Sequence, residues 1–76
     1  MSYNGHKNWN HWNVSLWINN DEGLYDLARK AVRWTGRNRE SAAHHMLSWL
    51  HELGITKTPD GAPYSKTTIL AAMRGM

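Results

Sequence analysis

The sequence has 76 residues, a formal net charge of +3 and no cysteine. A chain of this length suits one domain, and the lack of cysteine excludes a disulfide framework and a thiolate metal site. No apolar run reaches the roughly 18 residues that a membrane span needs, and residues 1–8 lack the apolar centre of a secretory signal. We therefore expect a cytoplasmic protein with a flexible arm over residues 1–8 and a single helical domain over residues 9–76.

Residues 9–19 hold three of the five tryptophans and fit two patterns. Apolar and polar residues alternate with the period of a strand. A helical wheel instead gathers four large side chains on one side and leaves Val14 and Ile18 opposite. The four are Trp9, Trp12, Leu16 and Trp17. A strand would lack partners in this chain, so we favour a helix that begins near Asn10 and turns Trp9, Trp12 and Leu16 towards the core.

A second helix is predicted after Asn20 or Asp21, either of which is a suitable N-cap. Its apolar stripe has helical spacing and ends with a tryptophan. The stripe consists of Leu24, Leu27, Ala28, Ala31 and Trp34. Gly36 is a suitable left-handed residue to end this helix.

Two more helices are predicted in the second half of the chain. The third runs from about Arg39 to Leu53, with Asn38 as its N-cap and Gly54 at its end. Its stripe is Ala43, Met46, Leu47, Leu50 and Leu53. Thr58-Pro59-Asp60-Gly61 has the pattern of a β-turn, and Ser65 caps a last helix. The inward residues of that helix are Ile69, Ala72, Met73 and Met76. The predicted fold is all-α, a compact bundle of three or four helices with a helix-turn-helix-like C-terminal half.

The sequence offers no pattern typical of catalysis or of metal binding. His44 and His51 are seven residues apart on the third helix, whereas metal-binding pairs on helices are usually four apart and have a third ligand. The acidic residues form no obvious pair for general acid–base chemistry, and no serine lies in a nucleophile-elbow pattern. We therefore predict no enzyme activity, no metal and no cofactor.

Five of the nine lysines and arginines lie within one short segment. They are Arg29, Lys30, Arg33, Arg37 and Arg39. Together with Trp34, this segment is typical of surfaces that pair cations with phosphates and an indole with a base. A solvated face that keeps a small protein soluble is the alternative interpretation. The helical period places Trp34 near the core stripe, which counts against base stacking.

Residues 50–70 contain Leu-His-Glu-Leu-Gly-Ile, then Thr-Pro-Asp-Gly, then a Tyr-Ser pair before the last helix. This order resembles the helix–hairpin–helix portion of the DNA-binding region of serine recombinases. In that family Leu-Asn-x-x-Gly-Ile precedes a Thr-x-x-Gly turn, and an aromatic–Ser/Thr pair opens the next helix. His51 stands here in place of the usual Asn, and the catalytic recombinase domain is absent. The resemblance implies contact with DNA at the start of the last helix, through Lys66 and Thr67.

Residues 12–25 are Trp-Asn-Val-Ser-Leu-Trp-Ile-Asn-Asn-Asp-Glu-Gly-Leu-Tyr, preceded by Asn8. This stretch resembles a family of small proteins encoded by phages and plasmids. Members of that family usually have a threonine at the position that His11 occupies in this chain. The resemblance implies an accessory protein of a mobile element. Such proteins often bind host machinery, and some inhibit CRISPR–Cas or restriction systems.

Taken together, these features predict a non-catalytic phage or plasmid protein in the cytoplasm of a host cell. We expect it to bind a host protein or ribonucleoprotein complex and to inhibit or modulate nucleic-acid-handling defence, as anti-CRISPR proteins do. The alternative is a small helix-turn-helix regulator that binds DNA directly. Trp17 joins the candidate partner contacts, because in the strand alternative it points away from its apolar neighbours. The oligomeric state stays open.

Overall fold

A computed structural model describes residues 8–74 and 76, and within them the chain forms four α-helices. The helices are α1 (Trp9–Asn20), α2 (Glu22–Trp34), α3 (Arg39–Glu52) and α4 (Lys66–Ala72). The predicted all-α bundle is therefore confirmed. None of these helices is long and apolar enough to cross a membrane. The predicted arm over residues 1–8 lies outside the described residues except for Asn8.

Each helix begins at a side chain that accepts a hydrogen bond from a free backbone N–H group. Asn8 accepts from the N–H of His11, so α1 begins at Trp9, one residue before the predicted start. The predicted caps of the other helices are confirmed: Asp21 for α2, Asn38 for α3 and Ser65 for α4. Such caps stabilise a helix by about 1 kcal/mol each. Local sequence thus determines where every helix begins.

The ends of α2 and α3 are Schellman motifs built on glycine. At the end of α3, Gly54 has a φ of 76° and the N–H of Ile55 donates to the Leu50 carbonyl at 2.9 Å. At the end of α2, Gly36 has a φ of 63°, and the next residue, Arg37, also has a positive φ of 70°. Both glycine ends agree with the sequence prediction.

The buried side of α1 is opposite to the predicted one. Val14 and Ile18 are fully buried, whereas Trp9 and Leu16 are each 38% exposed. Helix α1 packs against α4 and α2, and the buried side of α4 includes the small residues Ala71 and Ala72. Because small side chains let two helices approach closely, compact Val and Ile fit between them and the wide indoles remain at the margins. Trp12, which we also expected inside, is half-buried.

Two further residues predicted in apolar stripes face solvent. Trp34 is 72% exposed and Leu53 is 69% exposed. Trp34 is the last residue of α2, and Leu53 is the C-cap of α3. At both positions the chain turns away from the bundle. No neighbouring helix therefore covers the last residue of either apolar stripe. The inner parts of both stripes, including Ala28 and Met46, are buried as predicted.

Residues 56–64 form a small hairpin between α3 and α4. Lys57 and Pro63 form an antiparallel bridge, and the N–H of Gly61 donates to the Thr58 carbonyl at 2.9 Å, which confirms the predicted turn. Gly61 has a φ of 98°, a conformation that glycine adopts without strain. The connection from α3 to α4 therefore spans residues 53–65, longer than the three- or four-residue turn of a DNA-binding helix-turn-helix.

Candidate functional surfaces

A network of polar side chains fastens the hairpin to α1. The Asn13 side chain is only 1% exposed; its amide donates to the Asp60 carboxylate at 2.9 Å and its oxygen accepts from the Thr58 hydroxyl at 2.6 Å. The same Asp60 oxygen accepts from the Trp17 indole N–H at 2.9 Å. The Thr58 hydroxyl in turn accepts from the N–H of Ala62 at 3.0 Å. The three bonds between α1 and the hairpin join residues more than 40 positions apart in the sequence.

Hydrogen bonds from Asn13 and Trp17 lower the pKa of Asp60 below its ordinary value, because both donors favour the charged carboxylate. Asp60 is exposed and remains ionised at neutral pH. Trp17, which we predicted as a partner contact, donates its indole N–H to Asp60, and its side chain also lines the apolar groove described below. The polar network therefore holds the hairpin against α1.

The basic segment forms a recess at the other end of the molecule, which we call the arginine recess. Four arginines line it together with Val32 and Met76, and its volume is about 420 Å³. The arginines are Arg29, Arg33, Arg37 and Arg39. Arg39 also donates to the main-chain carbonyl of Met76 at 2.7 Å. Among the residues that the structure describes, no acidic side chain lines this recess.

Lys30 and Trp34 belong to a different side of α2 from the arginine recess. Successive residues of a helix are about 100° apart, so Trp34 lies about 140° from Arg29 and about 40° from Lys30. The Lys30 ammonium lies 5.8 Å from the ring centroid of Trp49 on α3. The exposure of Trp34 overturns the expectation that it lies near the core, but the indole does not line the recess.

Lys66 and Thr67, at the start of α4, lie in two separate recesses. Lys66 shares one with Glu40 and His44 of α3, so an acidic side chain lies near this cation. Thr67 shares the other with Arg39 and Arg74, among other residues. Because Arg39 also lines the arginine recess, a basic surface continues from α2 to the end of α4. Sequence analysis missed Arg74, which is 35 positions from Arg39 and gives no signal of clustering along the chain.

An apolar groove lies at the hairpin end of the molecule, and no motif in the sequence indicates it. Its volume is about 630 Å³. Its apolar lining includes Leu24, Leu27, Leu50, Leu53, Ile55 and Tyr64. Burial raises the pKa of the Tyr64 hydroxyl, and the nearby Asp21 carboxylate raises it further. The Tyr64 hydroxyl is neutral at physiological pH, so it adds no charge to the groove.

Two of the three histidines of α3, His44 and His45, form ring contacts with their neighbours. The ring centroids of His44 and His45 are 6.0 Å apart, and that of His45 is 6.2 Å from Trp49. Within residues 8–74 and 76, no group of three His, Cys, Asp or Glu side chains could hold a metal ion. The rings of His44, His45 and Trp49 lie next to one another along α3.

Comparison with known proteins places the chain in a family. The profile of a family of unknown function (DUF7249) matches residues 1–76, which is the entire sequence. The chain belongs to this family. No curated protein and no solved structure matches the chain.

Proposed function

We propose that this protein is a non-catalytic accessory protein of a phage or plasmid. It acts by binding a host protein or ribonucleoprotein complex that handles nucleic acid, and it inhibits or modulates that complex in the manner of an anti-CRISPR protein. The observation that supports this proposal best is the arginine recess. Four guanidinium groups from α2, the following turn and the start of α3 surround one depression.

The chemistry of the recess favours a polyanionic ligand. A guanidinium group is planar and presents several N–H donors, so it binds a phosphate or carboxylate through paired hydrogen bonds. Four such groups around one recess raise the local positive potential, because like charges that share a depression reinforce each other. A phosphate backbone held in a host ribonucleoprotein, or an acidic surface of its protein part, carries the matching charge.

Phage protection assays test this proposal. The protein is expressed in bacterial strains that each carry one defined CRISPR–Cas or restriction system, and plaques are counted against an undefended strain. We expect more plaques in at least one defended strain and no change in the undefended strain. The Arg33→Glu variant should lose this effect, because it reverses one charge of the recess.

The matched control is Lys57→Glu, which makes the same charge reversal at the hairpin end of the molecule. Lys57 lines the apolar groove and lies outside the arginine recess. We expect this variant to protect phage as well as the original protein does. Equal loss in both variants would contradict a role for the recess, and no protection in any strain would contradict the proposal itself.

Direct DNA binding is the second candidate. The continuation of the basic surface to Thr67 and Arg74 favours it, because it brings the start of α4 beside Arg39. The buried side chains of α4 count against it. Thr68, Ile69, Ala71 and Ala72 are all buried. Few side chains of this seven-residue helix are left to read a groove.

Fluorescence anisotropy with a labelled DNA duplex tests direct binding. A DNA-binding protein should show a steep decrease of affinity with salt, and Arg33→Ala should reduce the slope by about one. Lys66→Ala tests the start of α4 in the same way. Absence of binding at about 50 mM salt, where phosphate contacts are strong, would exclude this candidate.

A further inference from the structure

We propose that this protein associates head to tail with a second copy of itself, with Trp34 of one protomer seated in the apolar groove of the next. Two exposed features of the chain support this inference, the Trp34 side chain and the apolar groove. Their shapes and their flanking charges are complementary.

Trp34 projects from the end of α2. Its indole is the most exposed large apolar side chain in the described part of the chain. Thr35 and Gly36 turn the backbone away directly after it, so the ring stands at a corner that a partner can reach. Tryptophan buries more surface than other side chains and is enriched at the centres of protein interfaces.

The apolar groove is large enough to receive this ring. Its volume of about 630 Å³ lies within the range of about 300–1,000 Å³ that is typical of ligand-sized clefts. Leu53 stands at its margin with 69% of its surface exposed. Leucine side chains from both α2 and α3 form the walls. An exposed apolar depression of this kind marks a binding site more often than a solvated surface.

The charges around the two surfaces are opposite. On its own side of α2, Trp34 is flanked by the exposed cation Lys30, one helical turn earlier. The groove lies at the end of the molecule where five of the six acidic residues of the sequence are found. Those five are Asp21, Glu22, Asp26, Glu52 and Asp60. Asp21 and one cation, Lys57, line the groove, and Glu22, Asp26 and Glu52 each adjoin a lining residue along α2 or α3, so acidic residues outnumber cations there. Asp60 is bonded to Trp17, which also lines it.

Because every chain has both an exposed Trp34 and an apolar groove, we infer that the groove of one protomer binds Trp34 of a second copy. Trp34 cannot reach its own groove. Trp34 is not among the lining residues of the groove, and the nearest of them on α2, Leu27, is seven residues away, about 10 Å along the helix axis. The contact therefore joins different protomers through unlike surfaces. Contacts of that kind build rings or open chains.

The self-association is independent of the proposed function. The arginine recess is on another side of α2 from Trp34, so a failure of either proposal leaves the other standing. Sedimentation equilibrium of the full chain from about 1 µM to about 1 mM covers the range of moderate to weak affinities. We expect the average mass to rise above that of the monomer with concentration.

Two variants and their mixture test the head-to-tail arrangement. Trp34→Ala removes the inserted side chain and keeps the groove, whereas Leu53→Glu places a charge in the groove and keeps Trp34. Each variant alone should be monomeric. Mixed in equal amounts, they should form a dimer and nothing larger, because each has one working surface.

The matched controls are Trp9→Ala and Leu16→Glu on α1, which change partly exposed side chains of the same types. Both should associate like the original protein, and far-UV circular dichroism should show equal helix content in all variants. A monomer at every concentration would overturn the proposal and leave the groove to a different partner. Association of either interface variant alone, or failure of the mixture to pair, would overturn it as well.

Discussion

The two ends of this molecule use polar side chains in opposite ways. At the hairpin end, the side chains of Asn13, Thr58, Trp17 and Asp60 bond to one another. At the other end, the guanidinium groups that line the arginine recess are exposed. Polar side chains thus bond to one another at the hairpin end, whereas at the other end the guanidinium groups face solvent, with one bond from Arg39 to the Met76 carbonyl.

This difference separates residues that hold the fold from residues that are available to a partner. A buried polar group that loses its partner destabilises the folded state, because water cannot replace the bond. An exposed cation is solvated before and after folding, so its removal changes stability little. Substitutions at the hairpin end should therefore change stability, and substitutions at the arginine end should change binding.

The largest effect on stability is expected for Asn13→Ala. The change removes the acceptor of the Thr58 hydroxyl inside the protein, and an orphaned buried group of this kind costs about 1–3 kcal/mol. Urea denaturation should show a free energy of unfolding lower by that amount. Asn10→Ala, an exposed asparagine of the same helix, is the control and should change it by no more than about 0.5 kcal/mol. Equal effects of the two substitutions would contradict the role of the polar network.

A smaller effect is expected from protonation of Asp60. Its pKa is lowered in the folded protein from the ordinary 3.8, so its contribution to stability is present above about pH 3.8 and is lost as the pH falls through the folded pKa. Carboxyl NMR titration should find the pKa of Asp60 below 3.8 in the original protein. In Asn13→Ala it should move back towards that value, because the largest cause of the shift is gone. An unchanged Asp60 pKa would show that Asn13 does not hold the carboxylate.

The smallest effect on stability is expected for Arg33→Ala. Arg33 is exposed in the arginine recess, and surface substitutions of this kind usually change the free energy of unfolding by less than about 0.5 kcal/mol. Urea denaturation should therefore give the same midpoint as for the original protein. A large loss of stability would show that Arg33 stabilises the fold. It would contradict the proposed difference between the two ends of the molecule.

Part of the candidate surfaces could be predicted from the sequence. The arginines that line the recess are close neighbours along the chain, so their clustering was visible in the sequence. Arg74 was missed because only the packing of α4 brings it near Arg39. The apolar groove was missed for the same reason, since its walls come from α2, α3 and the hairpin.

The sequence by itself determined α2, α3 and α4, their caps, the glycine ends of α2 and α3, and the turn at residues 58–61, whereas for residues 9–19 it favoured a helix but left a strand as the alternative. Each of these features rests on hydrogen bonds between residues a few positions apart, and such bonds depend only on local side-chain chemistry and backbone freedom. Only the tertiary structure decided which side of α1 is buried, because Val14 and the tryptophans are both apolar and the choice depends on the shape of α4. It also decided that Asn13 meets the hairpin and that Trp34 is left exposed. Those outcomes depend on which surfaces meet across the bundle, and no pattern along one helix contains that information.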